Sequence, residues 1–341
     1  ADMTPAIFGI SGPDLSPDER AFFREADPAG YILFGRNCID RQQMRRLTDD
    51  LRAIHGRERL IISIDQEGGR VARMKPPEWP KYPAGEAFAK LYEIAPASAI
   101  EAARVNAEAM ARELALVGVT VDFHAPFDVR RPETDDVIGD RALGSEPMQV
   151  AALGRAVLEG MTRGGVVGCL KHMPGHGRAT SDSHKELPVV TASDEELEKD
   201  IEPFQALAHH PLGMSAHIVF TAWDKDNPAT LSDRVIEEII RGRIGFDGLL
   251  LTDDIDMQAL KGTIPDRGAA ALAAGCDIIL NCWANMAEQR QIAERFPDMS
   301  DTSTRRLDCV HKAMGEQPDA IDMGDLLAKR DALLALTEQL A

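Results

Sequence analysis

Long apolar runs are missing from this 341-residue chain. None reaches the roughly 18 residues that a membrane-spanning helix needs, so no membrane span is expected. The start, ADMTPAIFGISGPD, has no basic segment leading into an apolar one, so no secretion signal is expected either. Positive charge is scarce: 38 Lys and Arg face 56 Asp and Glu, for a formal net charge of −18. Binding to phosphate backbones needs a clustered basic surface, which argues against a nucleic-acid partner. The cysteines are few: Cys38, Cys169, Cys276, Cys282 and Cys309 are odd in number and form no CxxC pair. They read as small buried hydrophobes in a reducing compartment, not as disulfides or metal ligands. No GxGxxG, P-loop or HExxH pattern occurs. No Pro/Gly/Ser-rich linker divides the chain and no repeat is visible, so residues 1–341 are expected to form a single domain with a sizeable core.

What is present is an alternation. Short, β-branched apolar runs predict strands at Ala6–Ile10, Gly30–Phe34, Leu60–Ile64, Thr120–His124, Val166–Leu170, Gly213–Val219, Leu249–Thr252 and Asp277–Leu280. Several lack polar alternation, as strands covered on both faces do. The longer segments between them read as helices. Ser98–Glu101 and Ser193–Glu196 look like capping boxes, Ser232 like a further cap, and Gly118 like a stop. Asp325–Ala341 reads as a closing amphipathic helix. Eight strands alternating with helices predict an α/β fold, a single (β/α)₈ TIM-type barrel.

In such a barrel, functional groups cluster at the carboxyl ends of the strands. Five polar clusters follow that rule. DQEGGRVAR starts at Asp65 and ends at Arg73. APFDV carries Asp128, and VIGDRALG carries Arg141. KHMPGHGRATSDSH runs from Lys171 to His184. His217 and the pair Asp253 and Asp254 complete the set. Any one carboxylate after a strand is commonly a helix cap or a salt-bridge partner. Five clusters at one end instead imply a single pocket of carboxylates, cations and imidazoles, suited to a ligand rich in hydroxyls. Asp277 opens a strand and reads as structural.

The histidine-rich stretch has three readings. His172 and His176 with Asp182 could hold a metal, but Pro174, Gly175 and Gly177 oppose the helix that would align the two rings. The Asp182-Ser183-His184 pattern favours proton transfer, since a carboxylate beside an imidazole sets its tautomer and stabilises its charged form. The third reading is a sugar-binding protein without catalysis.

At these residues the sequence resembles glycoside hydrolase family 3, in its bacterial β-N-acetylglucosaminidase branch. KHMPGHGRATSDSH resembles the K-H-F-P-G-H-G…D-S-H signature. IDQEGGRVAR, HAPFDV…VIGDRALG, LTDDIDM and GYILFGRN resemble further family motifs, in family order from near residue 8 to about residue 282. The resemblance implies a single (β/α)₈ barrel and retaining hydrolysis of terminal, non-reducing β-linked N-acetylglucosamine. Asp253 would be the nucleophile, His184 the acid/base and Asp182 its partner. Asp65, Arg73, Arg141, Lys171 and His172 would hold the sugar. The resemblance further implies a cytoplasmic enzyme of peptidoglycan recycling that acts on muropeptides, with no cofactor and no metal; a monomer is expected. Transfer to phosphate uses the same first step and stays open. Four positions depart from the family pattern: Met173 replaces Phe, Ala142-Leu143 replaces Ser-Phe, and Asp256 stands where many relatives have Ser.

Overall fold

The computed structural model describes residues 2–133, 137–180, 185–316 and 321–341. Among them are ten strands: β1 (Thr4–Gly9), β2 (Pro28–Leu33), β3 (Ile61–Ile64), β4 (Val121–Asp122), β5 (Leu170–Met173), β6 (Val189–Val190), β7 (Leu212–Ser215), β8 (Val219–Phe220), β9 (Leu249–Leu251) and β10 (Ile279–Asn281). Five form a sheet in the order β10-β1-β2-β3-β4, three form β5-β7-β9, and β6 pairs with β8. Every strand pairing is parallel. The fold is thus α/β, with helices supplying the crossovers that parallel strands require. Isolated parallel bridges link the free edges of the two larger sheets, Val121 to Val167 and Leu251 to Ile278.

Two apolar layers follow from the alternation of side chains along each strand. Phe8, Tyr31, Leu33, Ile62 and Leu250 belong to a core shared with helix residues such as Met44, Leu47 and Met110. Ile7, Ile32, Ile61, Val121, Val167, Leu212, Leu249 and Leu280 form a second cluster on the other strand face. Both faces are dry, which accounts for the unbroken apolar runs in the sequence. No helix among the described residues is long and apolar enough to cross a membrane.

Several sequence expectations need correction. The run predicted at Val166–Leu170 begins the ladder but does not end it. Asp122 N–H donates to Val167 O at 3.0 Å and Cys169 N–H to His124 O at 2.8 Å, while the strand itself spans Leu170–Met173. The ladder runs on through Lys171 and His172 because both polar heads find buried partners. The predicted Gly213–Val219 strand divides into β7 and β8, with His217 between them. Ser98 is not a cap: the helix Pro96–Leu116 starts earlier, on Pro96, whose missing N–H costs nothing at a helix start. Ser193 does form the capping box with Glu196, and Ser232 Oγ accepts from Val235 N–H at 3.0 Å. The final amphipathic segment breaks at Ala335 into Met323–Leu334 and Leu336–Gln339. The cysteines are free; Cys169, Cys276 and Cys282 are buried, Cys38 is half-buried and Cys309 is exposed.

Candidate active site

Because the strands run parallel, their carboxyl ends share one side of the molecule. There a cavity of about 220 Å³ is lined by Asp65, Arg73, Arg141, Lys171, His172 and Asp253, with Phe34, Ile138, Met214 and Cys282 as apolar walls. Six of the eight sequence-predicted site residues therefore meet. The other two, Asp182 and His184, lie outside the described residues.

Asp65 directly follows β3. The turn after it needs Gly68, whose φ of 103° suits glycine and whose missing Cβ leaves room for Pro83 O. This turn swings Glu67 inward, where it is 4 % exposed. Glu67 takes Arg141 in a two-point grip, Nε at 2.9 Å and Nη2 at 2.8 Å, and also receives Lys171 Nζ at 2.7 Å. Burial pushes the Glu67 pKa up, but the Arg141 and Lys171 charges outweigh it and hold the carboxyl well below its usual range. Burial likewise works against the Lys171 ammonium, and Glu67 with Asp65 reverses that effect. Asp65 lies 3.6 Å from Lys171 Nζ and 3.7 Å from Arg73 Nη2, looser contacts at the pocket surface.

Asp128 is wholly buried and holds the histidine stretch. Its Oδ2 lies 2.8 Å from His172 Nδ1, and its Oδ1 accepts the backbone N–H groups of His172 at 3.2 Å and His176 at 2.7 Å. Burial raises its pKa, yet the His172 charge and hydrogen bond lower it further, so Asp128 is the acceptor and His172 Nδ1 carries a proton. The His172 and His176 rings meet edge to face, 5.5 Å between centroids. Burial and then His172 push the His176 pKa down to about 4, which keeps this ring neutral. Among the described residues, no group of three or more His, Cys, Asp or Glu side chains is placed to hold a metal ion.

Asp253 stands two residues beyond β9. Its Oδ1 accepts the Asp254 N–H at 2.8 Å. The turn is held from below by His217, whose Nε2 donates to Asp254 O at 2.9 Å while its Nδ1 faces Thr230 Oγ1 at 2.7 Å. Asp254 is the nearest rival of Asp253. Burial and the Asp253 carboxylate raise its pKa, and Oδ1 is occupied by Asp256 N–H at 3.0 Å. An attacking carboxylate must be ionised, so the raised pKa of Asp254 counts against it as the attacking group. Asp277, as expected, is structural, accepting from Leu250 N–H, Arg241, Ser303 and Arg306.

Sequence reasoning missed Glu67 as the hub and left Asp128 and His217 without roles. The signal for Glu67 lay in its own stretch: two cations destined for burial in one pocket demand a buried counter-charge.

The chain resembles well-described proteins throughout its length. The model of the glycosyl hydrolase family 3 N terminal domain matches residues 13–307. A beta-hexosaminidase of Alkalilimnicola ehrlichii is 38% identical over 314 residues, covering 91% of this chain and 89% of that protein. The crystal structure of NagZ from Neisseria gonorrhoeae in complex with N-trifluoroacetyl-D-glucosamine superposes with a TM-score of 0.84 at 29% identity, covering 99% of this chain and 98% of that one. The same Neisseria protein in complex with a zinc ion gives 0.82 at 28% identity, with the same coverage. A match over most of the chain, at these identities, means that this protein belongs to glycosyl hydrolase family 3.

Proposed function

We propose that this β-N-acetylhexosaminidase-type glycoside hydrolase removes terminal, non-reducing β-linked N-acetylglucosamine with retention, through a covalent intermediate on Asp253. The observation that carries this reading is the Glu67 hub. Held by one buried carboxylate, Arg141 and Lys171 keep further N–H donors for sugar hydroxyls, while Asp65 and Asp253 stand in the same cavity. Cations fixed in advance lose little freedom when a ligand arrives.

In the first step an Asp253 oxygen bonds to the anomeric carbon, the bond from that carbon to the leaving oxygen breaks, and His184 gives that oxygen its proton. In the second, His184 takes a proton from water, the water oxygen bonds to the same carbon, and Asp253 leaves. Most retaining glycosidases use two carboxyl groups about 5–5.5 Å apart. Here the imidazole of His184, partnered by Asp182, would serve as the second. Met173 is buried and offers apolar volume where the family signature it resembles has Phe.

Support for a closed (β/α)₈ ring comes from the two edge bridges and from the inner apolar cluster, to which both larger sheets contribute. On this reading residues 1–341 are one catalytic domain. A peptidoglycan fragment as substrate, a cytoplasmic place and a monomeric state belong to the same proposal through the family resemblance.

The deciding experiment is product analysis on an aryl β-N-acetylglucosaminide with and without phosphate. Release of N-acetylglucosamine as the first-formed β-anomer, unchanged by phosphate, supports retaining hydrolysis. A sugar phosphate would establish phosphorolysis, and an α-anomer would overturn retention. The zinc complex of a relative favours testing a metal-dependent reading too. Activity lost in chelator and restored by zinc would shift the chemistry to His172, His176 and Asp182.

A further inference from the structure

Asp256 is 2 % exposed, although it sits only three residues beyond Asp253. It ties two segments together. Its N–H donates to Asp254 Oδ1 at 3.0 Å, while its own carboxyl accepts Trp283 N–H at 2.7 Å and a hydrogen bond from Asn281 Nδ2. The Asp254 N–H in turn donates to Asp253 Oδ1. A continuous chain of contacts therefore runs from the end of β10 through Asp256 and Asp254 to the proposed nucleophile. In addition, Ile255 N–H donates to Leu280 O at 2.9 Å, so backbone and side chain grip the same neighbour.

We propose that Asp256 is a positioning residue: its uncharged carboxyl clamps the turn bearing Asp253 to the segment 281–283, and its ionisation loosens that clamp. This rests on the Asp253 reading above. The surroundings decide the charge state. From its own turn Asp256 faces the Asp254 carboxylate, and from the helix Met286–Arg295 it faces Glu288. Asn281 and the Cys282 thiol face it from the end of β10. Arg36, from the turn after β2, is the cation that feels it, but Arg36 is spent on Ile10 O and Cys282 O. Arg267, from the helix Ile264–Ala274, is spent on the carbonyls of Ile255 and Met257. No described cation bonds to the Asp256 carboxyl. Burial, then Asp254, push its pKa up to about 7. Asn281 Oδ1 is buried and has no partner, which an amide turned to face a carboxyl proton would remedy.

The sign follows from the raised value. The carboxyl is uncharged below about pH 7 and ionises above it, placing like charges side by side in a dry turn. The test reads the first chemical step alone, as the rate at which a fluorosugar with fluoride as leaving group labels Asp253. Fluoride needs no proton from His184, so that group's own titration drops out. For the wild type, labelling should slow as pH rises from 6 to 8, by about tenfold, a loss that small displacements of a reacting group readily produce. Asp256→Asn stays uncharged and can serve both Trp283 N–H and Asn281 Oδ1. It should label at pH 6 within about threefold of wild type and show no alkaline fall. Asp256→Ala removes the clamp and should label about tenfold more slowly at every pH, with sugar affinity unchanged. An alkaline fall in Asp256→Asn equal to the wild type's, or wild-type labelling by Asp256→Ala, overturns the proposal. Labelling on a residue other than Asp253 overturns the reading on which it rests.

Discussion

Lys171 Nζ lies 2.7 Å from Glu67 Oε2, and both side chains are almost wholly withdrawn from water. A pair this dry is costly to form and still more costly to break, because either partner alone leaves an uncompensated charge. Glu67→Gln strands both Lys171 and Arg141. The expected loss is about 3–5 kcal/mol of stability, read as a lower denaturation midpoint, together with a severe drop in kcat/KM. The pH dependence has a definite sign. The folded pKa of Glu67 is depressed, so its contribution is present above the ordinary Glu value, about 4.3, and fades as pH falls through the folded value. A thermal-melt series from pH 7 to pH 2 should therefore show less acid dependence in Glu67→Gln than in the wild type.

Asp128→Asn keeps the shape of the side chain but replaces an acceptor oxygen with a donor. One of the three bonds to His172 and His176 is lost and the His172 tautomer is no longer dictated. Buried bonds to a charged group contribute about 1.5–3 kcal/mol, so kcat/KM should fall about tenfold to a hundredfold. Steady-state kinetics on an aryl glycoside, with circular dichroism to confirm the fold, checks this. Unchanged kinetics would mean that His172 does not meet the sugar.

Asp253→Ala should lose several powers of ten in kcat, the usual consequence of removing a nucleophile. Mass spectrometry of the fluorosugar-labelled wild type should place the label within Leu251–Met257, on Asp253. Asp254→Ala, measured in parallel, separates the neighbours: a label on Asp254 would reverse their roles.

His184→Ala should damage cleavage of a natural disaccharide far more than formation of the glycosyl intermediate from an activated aryl glycoside, because a sugar alkoxide needs a proton to leave and a nitrophenolate hardly does. The second step then lacks its base, so the intermediate should accumulate, and azide should restore turnover as the β-glycosyl azide. Asp182→Ala should weaken both steps and lower the pKa of the acid form. Equal losses on both substrate types without azide rescue would leave His184 a loop residue only.

The strands were legible because burial on both faces removes the polar alternation that would otherwise blur a strand against a helix. Their limits were less so. Lys171 and His172 read as the end of a strand, since sequence alone cannot show that Glu67 and Asp128 wait as their buried partners. The capping boxes divided for a similar reason: Ser193 stands before its helix, whereas Ser98 is overtaken by Pro96, a better starting residue. The pocket was legible from five polar clusters at strand ends, but its inner wiring was not. His217 grips Asp254 through a backbone carbonyl, and any residue at position 254 would supply that carbonyl.

The Glu67 hub and everything it orients come from residues before the middle of β5, whereas Asp253 arrives only after β9. Grip and scission are thus inherited from different stretches of chain. On the proposed roles, a single change at position 253 would leave the cations aimed and the cavity open, and would turn a hydrolase into a receptor for the sugar it once cut.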